Sequence, residues 1–217
     1  MFLRNAWYVA AWESEIEDKP LARTILGEPV VMFRCGDRIA VLEDRCCHRA
    51  APLSLGRVIE TNLQCGYHGL EFDGMGNCIQ VPGQAKVPPG ASVRSYPVIQ
   101  RYGWVWIWTG DPAKANEELL PNWWWIESPE WKTIPGRYGT PLYVEANYLL
   151  ISDNLFDITH LPYVHAGSIG ADSIMEFPTK TERFENVVKM SRVVRIAQPP
   201  LSIKKQEASR EMLIAGR

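Results

Sequence analysis

The sequence predicts a mostly β protein of the α+β class. Three observations carry that prediction. Short apolar runs near the N-terminus are separated by turn residues, glycine and proline recur every few residues between 46 and 90, and tryptophan alternates with aliphatic residues over 104–108.

The elements follow in order. Val30–Phe33 and Ile39–Leu42 flank Cys35-Gly36-Asp37-Arg38, the pattern of strand, turn and strand in a hairpin. From Pro52 to Gly90 the glycines and prolines punctuate short strands and loops. In Gly103-Trp104-Val105-Trp106-Ile107-Trp108 the three indoles fall on one face of a strand and Val105 and Ile107 on the other. Core packing accounts for these rings better than ligand stacking, because large aromatics dominate burial in small β domains. Asp111–Pro135, with its prolines and charges and no clean period, reads as a connection between domains, with Trp123-Trp124-Trp125 packed against one of them. Tyr138–Val144 looks like a strand. Asn147 is placed to cap a helix in which Tyr148, Ile151, Leu155 and Ile158 form an apolar face and Asp153, Asp157 and His160 another. Pro162 should break that helix at Leu161. Beyond Thr179 the pattern alternates loosely, like strands, and Leu201–Arg217 is expected to be poorly ordered.

The 217 residues suit one or two domains, and a 46% hydrophobic content suits a packed core. A net charge of −2 provides no strong field for nucleic acid or acidic lipid. No run resembles a signal peptide or reaches the ~20 apolar residues that span a bilayer. The expectation is a soluble, cytoplasmic protein with no nucleic-acid or membrane partner.

Five cysteines, an odd number, form no disulfide framework. Three of them, with two of the four histidines, lie between Asp44 and Gly74 as Cys46-x-His48 and Cys65-x-x-His68, sixteen residues apart. Thiolate and imidazole suit zinc and iron–sulfur iron. A structural zinc site is one reading, although such sites usually pair cysteine with cysteine and histidine with histidine. Scattered core thiols and surface histidines are another. Mixed pairs suit a Rieske [2Fe-2S] centre, in which two Cys hold one iron and two His the other. Cys35, Cys47 and Cys78 are then small buried or neutral thiols.

Cys46-Cys47-His48-Arg49-Ala50-Ala51-Pro52-Leu53 and Cys65-Gly66-Tyr67-His68-Gly69-Leu70-Glu71-Phe72-Asp73 resemble the cluster loops of Rieske non-heme iron oxygenases. Cys47 stands where that family commonly has proline. The resemblance implies a Rieske β-sandwich domain over 1–115, a connection over 116–135, and over 136–217 the start of a helix-grip-like antiparallel-sheet catalytic domain. High-potential Rieske proteins carry an extra disulfide-forming cysteine in each loop; here Arg49 follows His48 and Tyr67 precedes His68, so that pattern is missing and a potential at the low end of the range, about −150 mV, is expected.

His160 and His165 are the chain's other histidines. On an unbroken helix five residues rotate by about 140°, so the two diverge unless the break at Pro162 turns His165 back. Taken alone they are as readily helix-end histidines as half of a two-histidine, one-carboxylate iron site. Asn154-Leu155-x-Asp157-x-x-His160-x-x-x-x-His165 is, however, similar to the iron motif of the same family. The resemblance implies His160 and His165 as ligands of a mononuclear Fe(II). Asp157, three residues before His160 and sharing a helix face with it, becomes the bridge to a cluster histidine of a neighbouring subunit, with Asn154 in support.

Arg4-Asn5-Ala6-Trp7-Tyr8-Val9-Ala10 and Gly69-Leu70-Glu71-Phe72-Asp73-Gly74 look closest to the O-demethylase branch, such as vanillate and dicamba demethylases. This implies an O₂-dependent aromatic mono- or dioxygenase, hydroxylating or O-demethylating a vanillate-like aromatic acid in aromatic catabolism. Electrons from NADH would arrive through a reductase or ferredoxin, and head-to-tail packing would close a homotrimer. The third ligand is not identified: Glu176, Glu182, Glu185, Glu207 and Glu211 match no motif. The chain is therefore expected to be a C-terminally shortened oxygenase subunit, inactive as such. A Rieske electron-transfer protein without oxygenase activity is the alternative.

Overall fold

The computed structural model describes residues 2–130, 143–166, 175–185 and 187–194, together with the backbone of 212–216. The chain divides into two units, Met1–Leu142 and Tyr143–Arg217. Among the described residues the first holds ten strands: β1 (Trp7–Trp12), β2 (Leu21–Ile25), β3 (Glu28–Cys35), β4 (Arg38–Glu43), β5 (Arg57–Ile59), β6 (Asn62–Gln64), β7 (Glu71–Phe72), β8 (Cys78–Gln80), β9 (Val98–Arg101) and β10 (Trp104–Trp108). They form three antiparallel sheets in the orders β2-β3-β4, β5-β6-β7-β8 and β1-β10-β9. The predicted hairpin is β3 and β4, turning through Gly36-Asp37 with Gly36 at φ 65°.

Strand β3 explains why its sequence is a continuous apolar run rather than an alternating one. Val31 and Phe33 enter one core with Leu42, Cys46, Leu53, Leu63, Cys65 and Phe72, while Val30 and Met32 enter another with Ile16, Val41, Val105 and Ile107. A strand buried on both faces needs no polar side. Each such aliphatic or aromatic side chain contributes about 1.5–3 kcal/mol through burial.

β10 behaves as its alternation predicts. Val105 and Ile107 face the second core, and Trp106 joins a third with Tyr102 and Leu120, flanked by Trp7, Trp104 and Trp123. The buried indoles keep their N–H groups bonded: Trp106 donates to the Arg101 carbonyl at 3.1 Å and Trp108 to that of Asp111 at 2.8 Å. Trp123 of the connection packs on Trp104 and Trp106 at ring separations of 5.5 and 5.6 Å, whereas Trp124 is exposed.

In the second unit Asn147 caps α1 (Tyr148–Phe156), its Oδ1 accepting the Leu149 N–H at 3.0 Å. The expected apolar face is there in sequence, but no residue of α1 is buried. The helix ends at Phe156, five residues before the break predicted at Leu161. Asp157 closes α1 by donating its N–H to Asp153 and opens a 3₁₀ turn, Ile158–His160, by accepting the Thr159 N–H. Aspartate competes well for exposed N–H groups, so it ends the helix before the position where proline was expected to interrupt it. Pro162 instead sits in the first turn of α2 (Leu161–Val164), where no helix bond is lost. The predicted late strands are β11 (Lys180–Phe184) and β12 (Val187–Val194), joined in an antiparallel sheet by β13 (Met212–Gly216) in the order β11-β12-β13. Of the strand expected over 138–144, residues 138–142 lie outside the described residues and Tyr143 and Val144 are not in a strand. The disorder expected of 201–217 also lies outside them, except that 212–216 forms β13. Among the described residues no helix is long and apolar enough to cross a membrane.

Candidate cluster loops and histidine pair

Two loops carry the Cys/His pairs, one after β4 and one between β6 and β7. They share a backbone plan. The Cys46 N–H donates to the Ala51 carbonyl at 2.8 Å and the Cys46 carbonyl accepts from Ala50 at 2.9 Å. The Cys65 N–H donates to the Leu70 carbonyl at 2.8 Å and the Cys65 carbonyl accepts from Gly69 at 3.0 Å. In both loops the residue four after the cysteine takes a left-handed conformation, Ala50 at φ 56° and Gly69 at φ 74°. The two loops are therefore structural copies that differ in where the histidine falls, two residues after Cys46 and three after Cys65.

Packing brings the copies face to face. A Cβ on Gly66 would stand 2.7 Å from the Leu55 carbonyl oxygen, so the second loop lies directly on the turn that follows the first. Asp44 anchors the first loop by accepting the Ser54 N–H at 2.7 Å and the Ser54 hydroxyl at 2.6 Å. Cys46 and Cys65 are buried, 3% and 2% exposed. His48 and His68 lie exposed, their rings 4.6 Å apart and edge to face. Burial, opposed by a backbone hydrogen bond from His48 and reinforced by the Cys65 thiol, pushes the Cys46 thiol up to about 11. A metal must displace that proton in order to bind. The expectation for the other cysteines holds for Cys78, which is buried. Cys35 is half-buried, and the loop places Cys47 at the surface.

The second pair also converges. His160 ends the 3₁₀ turn, His165 ends α2, and their rings lie 5.4 Å apart, both half-buried. The convergence comes from the break at Asp157 and the change of helix type, which replace the divergence of a straight helix. The His160 Nδ1 lies 2.7 Å from the Asp157 carbonyl; a proton donated there leaves Nε2 with its lone pair. Asp157 and His160 do not share a helix face, because no α-helix joins them. The Asp157 Oδ1 accepts the Thr159 N–H at 3.0 Å and hydroxyl at 2.5 Å, and these bonds hold the carboxyl below its usual range. Its Oδ2 takes part in neither bond, and both Asp157 and Asn154 are exposed. Among the described residues no carboxylate joins the two histidines in a group able to hold a metal. Glu182 is paired with Lys180 at 2.8 Å, and Glu207 and Glu211 lie outside the described residues.

Sequence reasoning missed the Asp44–Ser54 anchor, the contact made by Gly66, and the role of Asn5. Asn5, at φ 54°, accepts the Asp111 N–H at 2.8 Å and ties the N-terminus to the end of β10. The one available signal was the equal spacing from Cys46 to Ala50 and from Cys65 to Gly69.

Comparison with known proteins agrees with this geometry. Residues 6–97 match the Rieske [2Fe-2S] domain, and residues 144–212 match the vanillate O-demethylase oxygenase C-terminal domain. The iron-sulfur subunit of the toluene-4-sulfonate monooxygenase system of Comamonas testosteroni is 47% identical over 84% of this chain and 52% of its own length. The vanillate O-demethylase oxygenase subunit of a Pseudomonas species is 44% identical over 92% and 56%. The oxygenase component of dicamba O-demethylase from Stenotrophomonas maltophilia is 46% identical over 79% and 50%. The chain thus spans about half the length of the curated relatives it matches. The crystal structure of dicamba monooxygenase bound to dicamba superposes with a TM-score of 0.86 at 39% identity, over 94% of this chain and 60% of that one. With a Rieske domain followed by a vanillate O-demethylase-type domain, the chain belongs to the Rieske non-heme iron oxygenases, in the branch of the vanillate and dicamba O-demethylases.

Proposed function

We propose that the chain is the oxygenase component, or the N-terminal part of one, of a multicomponent cytoplasmic system that hydroxylates or O-demethylates an aromatic compound of the vanillate type. One observation carries the reading: two copied loops present buried thiols and exposed imidazoles to each other. That donor set fits a [2Fe-2S] cluster with Cys46 and Cys65 on the inner iron and His48 and His68 on the outer. A single zinc would draw all four to one point, whereas here thiols and imidazoles segregate by depth. When bound, the cluster passes single electrons, and a mononuclear Fe(II) at His160 and His165 supplies O₂ chemistry.

The chain's own residues do the rest. The exposed imidazoles offer N–H donors at the surface, which suits electron delivery from a reductase or ferredoxin charged by NADH. The exposed Oδ2 of Asp157 is free to accept such an N–H from a neighbouring copy, and that contact, made head to tail, closes a homotrimer. Asn154 supports the same surface.

Iron analysis of anaerobically reconstituted chain tests the reading. About three irons per chain supports cluster plus mononuclear site; about two supports a Rieske electron carrier. His160→Ala should remove the third iron and leave the red-brown cluster spectrum unchanged. A colourless zinc-loaded protein would overturn the proposal.

A further inference from the structure

Beneath the second cluster loop lies a row of side chains that the proposed function does not use. Arg57, Gln64 and Glu71 stand on β5, β6 and β7, and each is the direct cross-strand partner of the next. The Arg57 Nε donates to the Gln64 Oε1 at 2.8 Å, and the Gln64 Nε2 donates to the Glu71 Oε1 at 2.8 Å. The row runs from an exposed guanidinium to a carboxylate only 8% exposed.

Its placement is what matters. Gln64 immediately precedes Cys65, and Glu71 immediately follows Leu70, whose carbonyl closes the loop on the Cys65 N–H. The Gln64–Glu71 rung is therefore the first one below the rung that shapes the loop. Burying a carboxylate is costly, and a neutral Leu or Thr would serve the sheet as well or better. A buried negative charge beside a redox centre disfavours adding an electron.

We propose that Glu71 is a positioning residue whose charge sets the cluster's potential low, and that the Arg57–Gln64 row orients it and partly offsets it. This rests on the two loops holding a [2Fe-2S] cluster. The Gln64 amide fixes the carboxylate against the stem of the second loop, so the charge cannot swing out to water. Arg57, at the solvent end, acts in the opposite sense and more weakly, because water screens it.

The test is a spectroelectrochemical titration of the cluster-loaded chain. In Glu71→Gln, which keeps the hydrogen bond to Gln64 and removes the charge, the oxidised-to-reduced ratio at a fixed potential should fall about tenfold, a rise of about 59 mV for one electron. In Arg57→Gln the midpoint should move the other way by less. Glu60→Gln, an exposed carboxylate in the β5–β6 turn, should leave it unmoved. An unshifted midpoint in Glu71→Gln with an intact cluster spectrum overturns the proposal. If Glu71→Gln does not retain its cluster, Arg57→Gln decides: an unchanged or raised midpoint overturns it equally. A wild-type chain without colour or acid-labile sulfide would instead defeat the cluster reading itself.

Discussion

Gly66 is where the two loops press most closely, and its substitution is the sharpest test of the packing that forms the site. In Gly66→Ala the new methyl carbon would sit 2.7 Å from the Leu55 carbonyl oxygen, 3.4 Å from the Leu55 carbonyl carbon and 3.4 Å from the Gly56 Cα. A comfortable carbon–oxygen contact needs about 3.3 Å, so the loops must part by about 0.6 Å. Every atom in the clash is backbone, and no rotamer change relieves it. Overpacking of this kind costs about 1–3 kcal/mol, or about 5- to 150-fold in the folding constant. All nine tryptophans lie in the first unit, so their fluorescence during urea unfolding reports this unit. The midpoint should fall with an unchanged slope, and iron and acid-labile sulfide per chain should drop, because Cys46 and Cys65 no longer meet at the same spacing. A variant that unfolds and loads like the wild type would refute the claim that this contact sets the distance between the loops.

Ala50 occupies the left-handed position that Gly69 fills in the other loop, so Ala50→Gly should stabilise the chain by about 0.5–1 kcal/mol, and a loss in the same urea assay would contradict the matching of the loops. Burial raises the Glu28 carboxyl, but hydrogen bonds from Arg4 and Tyr96 and the charges of Arg4 and Arg94 outweigh it and hold it below its usual value of 4.5. A carboxyl depressed in the folded state stabilises fully above its unfolded value and loses that contribution as the pH falls through the folded one. Glu28→Gln should therefore lower stability at pH 7 and flatten the acid limb below pH 4.5, and parallel pH profiles would refute the assignment.

Much of the fold was legible because the relevant signals are local. The hairpin of β3 and β4, the alternation of β10 and the Asn147 cap each depend on residues within a few positions of one another. The face to which each strand turns was less legible. The run Val30–Phe33 says that β3 is apolar, not that its two sides enter different cores. Likewise the apolar positions of α1 predict a covered face, yet in this chain they are exposed. The helix break was misplaced because Asp157 and Pro162 both interrupt helices, and their competition is decided by which N–H groups are left to cap.

The pairs Cys46/His48 and Cys65/His68, and His160 with His165, could be picked out from residue type and spacing alone, since soft donors at such spacing have few structural uses. Their depth and mutual approach could not. That the thiols are buried and the imidazoles exposed, that Gly66 admits the Leu55 carbonyl, and that Glu71 lies under the second loop all depend on contacts between strands distant in sequence. Residue chemistry is a property of the chain, but which groups share a dry interior and which meet water is settled only when the sheets pack.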